Sequence, residues 1–295
     1  MHTLGGRPLR VGSRQSWCGR AGAMLSAGAA VTGWSMDSAG LWSAPLPAGA
    51  AAGAPKSLRV GQQRAEQATF PSVHHIPRKR WLFARHVEKA AANTTAEREL
   101  SVDADKLPRG WQRWDNRSLV VYCFPGNSWV GLRLCARPNP RLKPDGEARF
   151  TISVPDGTSG LETGNRVSFA GAPALLNASG SSGVWAYDSV AKRLLIRSAA
   201  APEDVWVPSH AHVMEIDGKS DVNVSGITFV DTDFTASGVQ NGFNVDAGSA
   251  GCPHDAAVAV SRSQRVRVSG CQFIGVAGGG VKSVNSVNSS SNRQC

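Results

Sequence analysis

Asp231 and Asp233 open an acidic, glycine-rich stretch over residues 230–255, and paired carboxyl groups are what glycoside hydrolysis requires. That reaction uses one protonated carboxyl to donate to the leaving oxygen and one ionised carboxylate as nucleophile or base. At i and i+2 on a continuing strand the two would share a face, with Cα atoms about 6.5–7 Å apart. Such proximity raises the pKa of one member, as the acid role demands. Asn244, Asp246 and Asp255 follow in the same stretch and offer hydrogen-bonding groups for sugar hydroxyls. The competing explanation is structural, because Asp and Asn in glycine-rich loops bond their own backbone in turns.

Other reactive residues point less clearly to chemistry. His254 beside Asp255 has the form of an oriented base, but no second ligand stands at metal spacing, so a surface-loop histidine is expected. His210 and His212 share one face of a strand and fall one or two ligands short of a metal site. The six cysteines include no Cys-x-x-Cys pair. No metal and no cofactor is therefore expected. His74 and His75, with Arg78-Lys79-Arg80, Trp81 and Phe83, form a basic and aromatic cluster of a kind that attracts phosphate, but it reads as a solvated loop. Trp111, Trp114, Trp129, Trp185 and Trp206 would either stack on the apolar faces of sugars or fill a core. Gly278–Gly280 lacks the following Lys-Ser/Thr of a phosphate loop and reads as a turn.

The elements around the two aspartates repeat. Residues 213–229 and 257–273, aligned at an offset of 44, match at Val222/Val266, Val224/Val268, Ser225/Ser269, Gly226/Gly270 and Phe229/Phe273. Each copy is an alternating strand, a polar turn and a second alternating strand closing on Val-Ser-Gly-x-x-Phe. A unit that cannot bury its own apolar face stacks on its neighbour, and here the unit is all strand. The expected fold is all-β: a right-handed parallel β-helix of about two to three coils, incomplete, preceded by a β-rich insert domain. Ordinary hairpins in a β-sandwich are the alternative. A further turn begins near Gly278, and the chain reads as cut short at Cys295.

Upstream, residues 58–205 show short β-like runs such as Leu119–Phe124 and Ala148–Val154, and only Arg85–Leu100 has helical spacing. Residues 1–57, with an Ala/Gly/Pro-rich run at 43–58, read as a poorly ordered leader and linker; residues 206–295 carry the coils. No apolar run reaches the roughly 18 residues of a membrane-spanning helix. The formal charge of +10 is uneven: residues 1–150 hold 22 basic against 10 acidic residues, and residues 151–295 hold 10 against 12. The coils are thus near neutral, and nucleic acid is not an expected partner. The basic start and five Asn-x-Ser/Thr sequons, at Asn93, Asn116, Asn177, Asn223 and Asn288, set secretion as the expected location.

The order Leu58-Arg59-Val60-Gly61-Gln62-Gln63-Arg64-Ala65, Ala68-Thr69-Phe70-Pro71, Gly183-Val184-Trp185-Ala186-Tyr187-Asp188 and Arg193-Leu194-Leu195-Ile196, then the repeat from Val213, resembles a known group. It is similar to the right-handed parallel β-helix proteins related to glycoside hydrolase family 141 and to the β-helix α-galactosidases. Phe70 replaces the usual Tyr, Ala186 stands where an aromatic is usual, and Leu195 and Ile196 stand where Tyr is common. The resemblance implies a pectin lyase-like fold and a carbohydrate-active, glycosidase-like protein that acts on polysaccharide or has lost that activity; if the site lies within this segment, Asp231 and Asp233 are its expected acids, and a monomer is expected. It also implies further catalytic aspartates on later coils. A non-catalytic β-helix module that binds glycans or partners is the second expectation. A polysaccharide lyase ranks below both, since the acidic stretch has few suitable Arg or Lys residues near it.

Overall fold

The structure, a computed structural model, describes residues 1–4, 7–38, 40–50, 54–71, 81–89, 97–114, 118–124, 132–137, 140–154, 161–179, 182–233, 244–245, 250–251, 256–276 and 279–284. The chain is all-β. Among the described residues the strands are accompanied by one five-residue α-helix, Leu175–Ser179, and two 3-10 turns.

Three parallel sheets carry the repeat. The first holds Leu9–Arg10, Met214–Asp217, Ala256–Ser261 and Gly279–Val284. The second holds Ser16–Cys18, Ser220–Ser225 and Gln264–Ser269, and the third His2–Thr3, Met24–Ser26, Thr228–Val230 and Gln272–Ile274. Successive passes, at residues 9–26, 214–230 and 256–274, visit the three sheets in that order. The register is the one expected from the repeat: Val222 faces Val266, Val224 faces Val268 and Phe229 faces Phe273. Alternation sends Val222, Val224 and Phe229 inward, all buried, while Asp221 points to solvent. The Phe229 and Phe273 rings stack at 5.4 Å with 14° between their planes.

The passes share a corner as well as a core. Arg14, Asp221 and Arg265 all adopt left-handed φ angles of 58°, 60° and 52°, and each precedes its second-sheet strand or falls within its first residues. At this corner Arg265 grips Asp221 through Nη2 to Oδ2 at 2.8 Å, and just before it Arg262 grips the carboxylate of Asp217, with Nε to Oδ1 at 2.9 Å. These pairs are exposed and contribute little in water. They still hold unlike charges in line across neighbouring passes.

Two expectations change. The first 57 residues, expected as leader and linker, supply a complete pass and the opening strands of the insert. Leu9 pairs with Met214, Trp17 with Val224 and Leu25 with Phe229, so the N-terminal residues line the same core. Secondly, the helical spacing over Arg85–Leu100 gives two strands, His86–Lys89 and Glu97–Asp103, which pair antiparallel with each other. Glu97–Asp103 also pairs along its whole length with Glu147–Ser153, and this long-range ladder overrides the local period.

Between the first and second passes lies the insert, whose largest sheet is antiparallel and runs from Thr69–Phe70 through Arg166–Ala170, Val120–Phe124, Leu132–Ala136, Glu147–Ser153 and Glu97–Asp103 to His86–Lys89. Its inner face closes over Trp114, Phe150 and Phe169; the two phenylalanine rings lie 4.5 Å apart. Two smaller sheets share a third core around Trp185, Leu194 and Val207.

Phe229→Ala should lower the unfolding free energy by about 3–5 kcal/mol, because the cavity sits in the stack with no room to collapse; chemical denaturation measures it. The hydrogen bond from Arg262, and next that from Ser261, hold the Asp217 carboxyl down to about 2. A depressed carboxyl contributes stability above the ordinary carboxylate range and loses it as pH falls from about 4 to 2. Thermal unfolding of wild type should therefore fall more steeply across that window than that of Asp217→Asn.

Candidate functional site at the junction of coils and insert

The second pass ends at Val230, and the next residue, Asp231, takes a left-handed φ of 62°. That turn breaks the extended strand and carries the Asp231 side chain inside, where it is 1% exposed. Its partner comes from the insert. Arg59, itself 3% exposed, donates from Nε to Oδ1 at 2.6 Å and from Nη2 to Oδ2 at 3.0 Å. Ser26 of the first pass donates its hydroxyl to Oδ2 at 2.6 Å and accepts the Gly28 N–H at 3.0 Å. The geometry is bidentate and charge-assisted, the strongest form of this contact.

Small residues make room for it. A Cβ on Gly28 would sit 2.8 Å from the Asp231 Cβ, a distance that no side chain tolerates. On its far side the Arg59 guanidinium bonds the carbonyl of Gly61, reaches Asp204 at 3.5 Å, and lies 5.5 Å from the centre of the Trp206 ring. Trp206 faces Ala30 on one neighbouring strand and Arg59 on the other. Its indole Nε1 donates to Asp204 Oδ1 at 2.6 Å.

Beside the Trp206 ring opens a cleft of about 420 Å³, walled by Trp206, Ala29, Ala30 and Leu4, with Thr3 and Ser209 at its polar points. Trp206 is half-buried, with Ala30 opposite it on the neighbouring strand and the Arg59 guanidinium over its ring. The arrangement suits the apolar face of a ring-shaped ligand, with hydroxyl groups at the edge.

The two predicted acids thus have different surroundings. Asp231 is fully engaged with Arg59 and Ser26. Asp233 is 4% exposed, its Oδ2 accepts the Lys56 N–H at 3.3 Å, and its own N–H bonds the His210 carbonyl at 3.0 Å. Both carboxyls tie the coil to the insert, where a general acid would need an open path to a glycosidic oxygen. Of the predicted sugar contacts, Asn244 lies in the two-residue strand Asn244–Val245, paired with Ala250–Gly251; its side chain, together with Asp246 and Asp255, lies outside the described residues. His254, His74, His75 and Trp129 lie outside them too.

The remaining candidates are placed plainly. His212 Nδ1 meets the Ala256 carbonyl at 2.7 Å, and burial pushes the His210 imidazole below its ordinary pKa. Trp111, Trp114 and Trp185 fill cores. Among the described residues no cluster of His, Cys, Asp and Glu is arranged to hold a metal ion. Sequence reasoning missed Arg59 and Ser26. Arg59 stands between Leu58 and Val60 with no local sign of an ionic partner, which lies 172 positions away. No known protein family matches the chain, and neither a curated protein nor a solved structure does.

Asp231→Asn should cost about 3–5 kcal/mol, since it leaves the Arg59 charge buried without its counter-ion. Arg59→Met combined with Asp231→Leu should cost less than either single change, and a double-mutant cycle by urea unfolding reads the difference.

Proposed function

We propose that the chain is a right-handed parallel β-helix of the carbohydrate-active kind, interrupted after its first coil by a β-rich insert, and that it binds glycans without cleaving them. The half-open Trp206 ring above the cleft carries this reading. Aromatic faces hold sugars through their C–H surfaces, and Trp206 is the aromatic wall of this cleft. The burial of Asp231 and Asp233 in contacts to Arg59, Ser26 and Lys56 supports binding over hydrolysis. The resemblance to β-helix glycosidases supports the same ligand class. On this reading the protein is a secreted monomer with a polysaccharide partner.

A glycan array tests it. Wild type should retain oligosaccharides, and Trp206→Ala should weaken retention about 30-fold, the effect of removing a central aromatic anchor. Galacto- and fuco-configured aryl glycosides should remain intact. Turnover that disappears in Asp231→Asn or Asp233→Asn would instead make the chain a hydrolase and return those residues to an acid–base role.

A further inference from the structure

The second sheet of the stack has an edge that no described strand covers. Among the described residues Gln264–Ser269 pairs only with Ser220–Ser225 and Gln272–Ile274 only with Thr228–Val230, whereas Ala256–Ser261 carries Gly279–Val284 on its far side. Gly279–Val284 also leans over Phe273, since a Cβ on Gly280 would come 3.0 Å from that ring. It leaves the valines beside it uncovered. Val222 and Val224 of the second pass are buried, but Val266 and Val268, which continue their columns, are half-buried. An edge of this kind, with apolar side chains and backbone groups on offer, is a template for another strand.

Charge marks which strand fits. The corner column runs Arg14, Asp221, Arg265, and the next outward column runs Ser16, Asn223, Arg267. Arg265 grips Asp221 across the passes, so the alternation calls for an acid in the position that follows. Arg262, Arg265 and Arg267 are all exposed at this end. The same columns oppose a second copy stacked head to tail. It would set Arg14 over Arg265, and it would set Arg10, whose column continues through Glu215 and Ala259, over Lys282. The chain's own next residues match the edge no better. Counted on in register from Val284, which faces Ser261, positions 289 and 291 would fall in the columns of Val266 and Val268, and both are serine; residues 285–295 contain no acid.

We propose that the Gln264–Ser269 edge is a docking site for an extended acidic segment of a partner protein. The segment adds a parallel strand, with Val or Ile over Val266 and Val268 and carboxylates beside Arg265 and Arg267. Main-chain hydrogen bonds give such strand addition its affinity, and the alternating side chains give it selectivity. The edge shares no residue with the Trp206 cleft and does not depend on glycan binding.

Fluorescence polarisation with a labelled peptide, Ser-Asp-Val-Glu-Val-Ser-Gly, tests the site; the peptide repeats residues 220–226 with Glu in place of Asn223. A second peptide carries Lys at both acidic positions, and a third carries Ser at both Val positions. The first should bind about tenfold more tightly than either of the others. Arg267→Glu, at an exposed position, should weaken the acidic peptide and strengthen the Lys peptide by about fivefold each, whereas lost structure would weaken both. Hydrogen exchange across Gln264–Ser269 should slow when the acidic peptide is bound. No binding, equal binding of the acidic and Lys peptides, or a preference that Arg267→Glu leaves unchanged overturns the proposal. Self-association of the peptide-free protein in sedimentation assigns the edge to a second copy, and uniform protection of Gln264–Ser269 without peptide assigns it to the chain's own residues; either result overturns the proposal as well.

Discussion

Parallel register is the constraint on which everything else here rests. Because strands of successive passes run the same way and pair residue for residue, each side chain inherits the environment of the one before it in the column. A slip of one position would turn Val222, Val224 and Phe229 to solvent and Asp221 and Asn223 inward. The left-handed corner at Arg14, Asp221 and Arg265 guards against that slip, because it recurs at the same place in each pass. Gly19 follows from the same constraint: a Cβ there would lie 2.3 Å from the Gly226 carbonyl, so two backbones can approach at this column only without a side chain.

The stack then sets where groups outside the core can stand. Its inward columns are committed to packing, and its outward ones carry cross-pass ion pairs such as Asp217–Arg262. The insert supplies what the stack lacks, namely a half-buried indole beside a cleft. Arg59 and Asp231 join the two. Their contact fixes the insert strand that pairs with Trp206 against the end of the second pass.

Much of this was legible in the sequence wherever cause and effect lie close together along the chain. The second and third passes follow one another without a large interruption, so their shared Val-x-Val-Ser-Gly-x-x-Phe stands out. The first pass obeys the same geometry but uses Trp17 and Leu25 where the later ones use Val and Phe, and the insert separates it from its partners. Gly19, following Cys18 as Gly226 follows Ser225, is the slender trace left in its sequence. The aspartates were visible as a pair, but their role is decided by Arg59, Ser26 and Lys56, all far upstream. The strands at 86–89 and 97–103 show the same limit, since their pairing with Glu147–Ser153 outweighs a local spacing that suits a helix.

The way the chain leaves and rejoins the stack has a consequence for its history and its engineering. Ser209 donates its N–H to the Ala27 carbonyl at 2.8 Å, and Val31 donates to Val205 at 2.9 Å, so departure and return lie side by side. A body of well over a hundred residues therefore leaves and rejoins the parallel stack at neighbouring strands. Whatever fold occupies that corner must present two neighbouring ends and, to keep Asp231 paired, a cation where Arg59 stands.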